Sequence, residues 1–311
     1  MTKTRRAVVA LALLAAGSRP LAAGPIGIPG ASFETPVTNY VNINIDSWQK
    51  APKPAWYVEG GGFLWTQLTG TFRNTDPSDA DHIDNCDGSQ AIWLFAVPEV
   101  ALFQDYDTVD WNDPAPTHAF DAKFEIGKSY TLTVGIIGGG GGMLEGASME
   151  IGLYYRDGGG NKVAVAATSV VNTLNTFPTN THLVDFQVRV PVVKPGDPWT
   201  GKNLGVRFLS TVPRVTGGEP DLQGGYWDID NVRLSSVAES PFVVSAARQG
   251  GSLRLGWPSA TGYQYQVEKS DDLQTWANYE SAQPGTGAEL LKLYPLAGHA
   301  NGYFRVKVTA P

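Results

Sequence analysis

Apolar and polar residues alternate with a period of two along most of this chain. Phe120, Ala122, Phe124 and Ile126 alternate with polar or charged neighbours, and Tyr130, Leu132, Val134 and Ile136 repeat the pattern after Gly127-Lys128. Met149, Ile151, Leu153 and Tyr155 do so again before the turn residues Asp157-Gly158-Gly159-Gly160-Asn161. Val184, Phe186, Val188 and Val190 make a further face, as do Leu204, Val206 and Phe208. A period of two sends successive side chains to opposite faces of a strand, so each run predicts a strand with one buried face. The helical spacing i, i+3, i+4, i+7 does not appear after the first two dozen residues. Strands of this length between Gly-, Pro- and Asp-rich turns predict an all-β antiparallel sandwich.

The ends of the chain read differently. Lys3, Arg5 and Arg6 precede the uninterrupted apolar run Ala7 to Ala16, and small residues follow at Ala22 and Ala23. That order predicts a secretory signal peptide over residues 1–23, because ten apolar residues are too few to span roughly 30 Å of hydrocarbon. The expectation is a secreted protein at the cell surface, in the periplasm or outside the cell, with no membrane insertion. The alternation stops near Val237 to Pro241 and restarts. Leu253, Leu255 and Trp257 share one face, Tyr263, Tyr265 and Val267 another, and Phe304, Val306 and Val308 a third. Residues 24–237 and 240–311 are therefore expected to form two sandwiches, the second a small one near the lower size limit for independent folding.

Charge removes some partners. Cleavage takes four of the 23 basic residues and leaves 30 acidic ones, a net charge of −11. A nucleic-acid partner needs the opposite sign, and so does an anionic membrane. Cys86 is the sole cysteine, so no intrachain disulfide forms, and the reading is a small buried apolar group.

Three segments carry a resemblance: Ser32-Phe33-Glu34-Thr35-Pro36, Gly127-Lys128-Ser129-Tyr130-Thr131-Leu132 and Trp227-Asp228-Ile229-Asp230-Asn231-Val232. Together they resemble the galactose-binding-like jelly roll, the fold of many carbohydrate-binding modules. The C-terminal piece, with Trp257-Pro258, Asp272-Leu273-Gln274-Thr275-Trp276 and Tyr303-Phe304-Arg305-Val306, resembles a fibronectin-type-III-like module of secreted bacterial proteins. The first resemblance implies a structural calcium where the first and last strands meet. Glu34 and Asp230 stand at its ligand positions, and Asp228, of the same parity, is placed to join them; calcium takes six to eight oxygens of this kind. In the alternative, Asp230 hydrogen-bonds the N-terminal strand and Glu34 is solvated. Asp76, Asp79, Asp81, Asp84 and Asp87 crowd ahead of Gly88, but EF-hand alignment puts Ile83 and Leu94 where carboxylates are required; the reading is a solvated acidic loop, with an irregular calcium loop as the alternative.

Enzyme motifs do not surface. The five glycines 138–142 lack a following Lys-Ser/Thr and read as a flexible turn, no Gly-x-Ser-x-Gly elbow occurs, and the four histidines have no metal-ligand spacing. Aromatic residues remain. Trp48, Trp93, Trp227, Trp257 and Trp276 read as packing residues, while Trp111 and Trp199 sit in polar loops. The expected ligand site uses Trp56, Trp65 and Trp111, since sugar stacking on one indole gives only on the order of 1.5 kcal/mol and a site needs a cluster. The sequence thus reads as a non-catalytic protein that binds a polysaccharide or cell-surface glycan, or alternatively as a structural or adhesive protein with no sugar site.

Overall fold

A computed structural model describes residues 24–59, 62–215, 221–238, 244–259, 261–295 and 302–309. The segment read as a signal peptide and the 239–241 part of the boundary lie outside the described residues.

The alternating runs form strands, except that Phe120 to Ile126 is irregular, with a single bridge from Lys123 to Asn203. In chain order they are β1 (Gly24–Ile26), β2 (Val41–Asn42), β3 (Gln49–Lys50), β4 (Thr69–Arg73), β5 (Gln90–Phe95), β6 (Ala101–Gln104) and β7 (Val109–Asp110). Then come β8 (Asp113–Pro116), β9 (Lys128–Gly140), β10 (Ser148–Arg156), β11 (Lys162–Val171), β12 (Val184–Val190), β13 (Gly205–Ser210) and β14 (Tyr226–Ala238). A seven-stranded sheet runs β12-β9-β14-β5-β4-β2, with β1 also paired to β14. A five-stranded sheet runs β11-β10-β13-β6-β3, and β7 with β8 forms a separate ribbon. All the pairings are antiparallel. This is the antiparallel β-sandwich that the alternation predicts, in the jelly-roll form that the resemblance implies.

The core lies between the two sheets. Ile92 and Leu94 of β5, Leu132, Val134 and Ile136 of β9, and Trp227 and Ile229 of β14 pack against Leu102, Met149, Ile151, Leu153, Val206 and Phe208 of the opposite sheet. Trp227 is fully buried, and Trp48, also buried, stacks on Phe208 with ring centroids 5.2 Å apart. At the open edge of the sandwich Lys50 reaches across, its ammonium donating to the carbonyls of Thr66 and Thr69. Burial lowers that amine's pKa to about 8.

The C-terminal strands β15 (Ser245–Gln249), β16 (Ser252–Pro258), β17 (Gln264–Ser270), β18 (Ala277–Asn278), β19 (Gln283–Pro284), β20 (Glu289–Pro295) and β21 (Tyr303–Thr309) make two further sheets. These pack around Leu253, Leu255, Trp257, Tyr263, Tyr265, Val267 and Tyr294, with Ile126 of the first part against them. Among the described residues no strand belongs both to these sheets and to those of residues 24–238. Trp276, read as core, instead lies half-buried with the Arg305 guanidinium 4.2 Å from its ring centroid.

Candidate active site on the outer sheet face

The seven-stranded sheet has a second face, turned away from the core, and it is unusually apolar. Because side chains alternate, Trp227 and Ile229 point into the core while Tyr226 and Asp228 point outward. Asp228 is registered opposite Trp93 of β5 and Ile137 of β9. Tyr226 is registered opposite Phe95 and Gly140. The outer face thus carries Phe72, Trp93, Phe95, Tyr226, Asp228 and Ile137 side by side.

Each aromatic is held in place. The Trp93 indole N–H donates to the Gln67 carbonyl at 3.0 Å. Its benzo ring lies on the backbone of β4, where a Cβ on Gly70 would stand 2.4 Å from Cη2. Phe95 contacts Phe63 at 5.0 Å on one side and Tyr226 at 5.7 Å on the other. Two loops rise over this face. The 74–89 loop lays Ile83 and Cys86 against Ile137, Leu183 and Phe72, and the segment with Phe63 covers Phe95 from the opposite end. Trp93 and Asp228, both partly buried, lie on the sheet face between the two.

Asp228 is the one chemically live group there. Among the described residues its carboxyl has no hydrogen bond and no ion pair, and burial pushes its pKa up to about 7. A carboxyl that keeps its proton near neutral pH amid apolar side chains is a general acid in waiting. The Tyr226 phenol also titrates high, through burial first and the charge of Asp228 second.

Glu34 and Asp230 are both hydrogen-bonded to the 86–90 segment. Glu34 accepts from the Ser89 N–H at 2.8 Å, the Ser89 hydroxyl at 2.7 Å and the Gln90 N–H at 2.8 Å. Asp230 accepts from the Asp87 N–H at 2.6 Å and the Cys86 thiol at 3.0 Å. These two carboxylates tie the 86–90 segment to the sheet, and its hydrogen bonds stop short of Asp228. Parity does place Asp228 and Asp230 on the same face, but they share no partner. Among the described residues no three His, Cys, Asp or Glu side chains gather as a metal site. Burial and the neighbouring charge of Asp230 push the Cys86 thiol well up, as suits an inert sulfur. Glu34→Ala is expected to cost about 2 kcal/mol, from the loss of several charge-assisted hydrogen bonds at a partly exposed position. Amide exchange at Ser89 and Gln90 should accelerate with it; unchanged exchange would show that the segment is held by something else.

The aromatic residues singled out from the sequence are scattered. Trp65 is 5% exposed, its indole donating to the Ala51 carbonyl at 2.7 Å, so it offers no face to a ligand. Trp56 packs edge-on to it at 6.4 Å, donates to Glu99 at 3.0 Å and carries the Arg214 guanidinium 4.7 Å from its ring centroid. Both close an end of the sandwich. Trp111 is exposed and lines a different cavity of about 250 Å³, with Ile43, Trp48 and Lys50. Trp199, read as a loop aromatic, packs against the core. The acidic residues Asp76, Asp79, Asp81 and Asp84 are exposed, as expected for a solvated loop.

Which residues were missed, and why, is plain from β5. Gln90-Ala91-Ile92-Trp93-Leu94-Phe95 reads as a continuous apolar run and so as core. A strand in the middle of a sheet whose second face is also apolar gives that same pattern, and nothing local separates the two cases. The signal available was Asp228 itself, a carboxylate inside an otherwise apolar central strand.

Against protein-family models, the HpiC1-like family, described as HpiC1 cyclase, matches residues 24–235. The chain belongs to the HpiC1-like cyclase family. The match covers the whole jelly roll and contains every residue of the outer face described above. No curated protein matches this HpiC1-like chain. Among solved structures, a cyclase from Fischerella sp. TAU is similar at 22% identity and a TM-score of 0.48, over 70% of this chain and 99% of that one. A Fischerella sp. TAU cyclase in complex with 4-(1H-indol-3-yl)butan-2-one is similar at 22% identity and a TM-score of 0.47, over 70% and 99%. The tandem carbohydrate-binding modules CBM22-1 and CBM22-2 of Paenibacillus barcinonensis Xyn10C are similar at 13% identity and a TM-score of 0.36, over 93% and 90%.

Membership of this cyclase family overturns the sequence expectation of a carbohydrate-binding protein without catalytic activity, and with it the structural or adhesive alternative. The error has a physical origin. The expectation rested on exposed loop tryptophans and on the absence of catalytic motifs, whereas a site assembled on a sheet face needs no motif contiguous in sequence. The comparisons lend no support to the fibronectin-type-III likeness of the C-terminal part.

Proposed function

We propose that this protein catalyses an acid-initiated cyclisation of an unsaturated, aromatic-bearing apolar substrate, with Asp228 as the proton donor. The observation that carries the reading is the unpartnered Asp228 carboxyl between Trp93 and Ile137, in a chain of a cyclase family.

The step balances without a co-reactant. The Asp228 O–H bond breaks as the electron pair of a substrate π bond takes the proton, leaving a cation on the neighbouring substrate atom. A second π bond of the same molecule attacks that centre and closes the ring. Loss of a proton from the ring system to the Asp228 carboxylate restores the acid, so product and substrate are isomers. The raised pKa supports the protonated starting state at neutral pH. Trp93, Phe95 and Tyr226 present ring faces or edges to the space where positive charge develops, and a ring face stabilises a desolvated cation by about 2 kcal/mol. The apolar surroundings keep out water that would otherwise trap that cation.

The test is an incubation of the protein with unsaturated aryl substrates in D₂O, followed by mass spectrometry. One deuterium per cyclised molecule is expected, with the rate falling on the order of 10²- to 10⁴-fold in Asp228→Asn. Cyclised product without deuterium, or an undiminished rate in the variant, rules the reading out. Binding can be followed separately with 4-(1H-indol-3-yl)butan-2-one and the tryptophan fluorescence of the cleft.

A further inference from the structure

The five-glycine run, which the sequence reads as a flexible turn, is the end of a strand followed by a turn at Gly141 and Gly142. Gly138, Gly139 and Gly140 complete β9, which pairs with β14. The ring of Tyr226 lies along the Gly140–Gly141 backbone. A Cβ on Gly140 would stand 2.5 Å from Tyr226 Cε2, and one on Gly141 would stand 2.9 Å from Cε1. Both edges of the ring thus lie close to glycine backbone, an approach that a side chain at either position would crowd. Phe95 bounds the ring on its other flank at 5.7 Å. The phenol hydroxyl has no hydrogen bond among the described residues, although the ring is half-buried. Nothing polar fixes this side chain. The shelf and Phe95 bound it, two residues along the strand from Asp228.

We propose that Tyr226 is the specificity-determining end wall of the cleft and that the glycine shelf keeps it low enough to admit an elongated apolar aryl ligand. The inference rests on the outer-face site described above and deepens it by naming what limits the substrate's length. Raising the shelf by one methyl lifts the ring toward Asp228 and shortens the cleft. Removing the ring lengthens it. Gly140 is the position to change, because its φ is not in the left-handed region whereas that of Gly141 is +59°.

The experiment compares the binding of two aryl ketones, 4-(1H-indol-3-yl)butan-2-one and its homologue extended by a benzyl group, by titration calorimetry. Gly140→Ala should bind the short ketone as the wild type does and lose the extended one on the order of tenfold or more, the discrimination typical of a pocket shortened by one small group. Tyr226→Ala should bind the extended ketone at least as well as the wild type. The double variant should regain the extended ketone, which separates a lifted ring from a damaged fold. Because the Tyr226 carbonyl also lies 2.8 Å from the Gly140 Cβ position, Tyr226→Trp serves as a second route: it enlarges the wall with the shelf intact and should likewise select the short ketone. A wild type that binds neither ketone, or variants whose length preference equals that of the wild type, would overturn the assignment. A shifted preference with no cyclised product from any of the proteins would keep the end wall and remove only the reaction.

Discussion

Asp228→Asn is expected to lose cyclisation and, above pH 7, to be harder to unfold than the wild type. The stability gain follows from linkage. The Asp228 pKa is raised from 3.8 to about 7 in the folded protein by desolvation. Below about pH 4 the carboxyl is protonated in both states and contributes no difference. Between 4 and 7 the unfolded chain ionises while the folded one holds its proton, so the wild type loses stability as pH rises, and the loss is complete above the folded pKa. Asparagine does not titrate, so the gap between variant and wild type should open over that window. A shift of this size corresponds to about 4 kcal/mol at most; with the side chain half-buried rather than sealed, about 2 kcal/mol is the better figure. That is roughly 4–8 °C in Tm for a domain of this size. Thermal melts of both proteins from pH 4 to pH 8 check it. Parallel curves across the whole range would show that Asp228 is an ordinary carboxylate and would remove the acid from the mechanism.

The largest destabilisation is expected from Arg156→Met. Asp105, 4% exposed, accepts from the Arg156 guanidinium at 2.8 and 2.9 Å and from the Tyr154 hydroxyl. Its own charge and deep burial push the Tyr154 phenol far above its ordinary range. Taking away the guanidinium leaves a carboxylate in the interior with one neutral donor and a backbone N–H from Asp107. Breaking a buried pair costs about 3–5 kcal/mol, and the partial exposure of Arg156 places the effect near the lower figure. A fall of about 6–12 °C in Tm is expected. Adding Asp105→Asn to the arginine variant should recover part of it, because the stranded charge is then gone; full additivity in that double-mutant cycle would show that the two side chains do not act as a pair. The group lies on the five-stranded sheet, so the outer face of the seven-stranded sheet should be unaffected wherever the variant is folded.

The two predictions differ in how visible their residues were. Arg156 ends an alternating run that any reading places in a strand, and its partner Asp105 opens the loop after β6. Nothing in the sequence pairs them, since 51 residues separate the two. Asp228 was noticed from the sequence, but for its nearness to Asp230, and the reading assigned both to one cation. The structure places them on the same face, then covers Asp230 with the 86–90 segment and leaves Asp228 open among Trp93, Ile137 and Tyr226.

What the sequence determined by itself was the class of fold. Period-two alternation obliges a chain to form strands with one buried face, and strands so patterned can bury those faces only against a second sheet. It also determined that Trp227 and Trp257 are core residues, because each falls in phase with its strand's apolar positions. Only the tertiary structure decided where the chemistry lies. A sheet face is assembled from strands far apart in sequence, here residues 69–73, 90–95, 128–140 and 226–238. Whether such a face is sealed or open depends on which loops fold over it. Loop placement follows from contacts such as Ile83 on Ile137 and Phe63 on Phe95, and a period of two, which records only the parity of neighbours along one strand, carries no information about them.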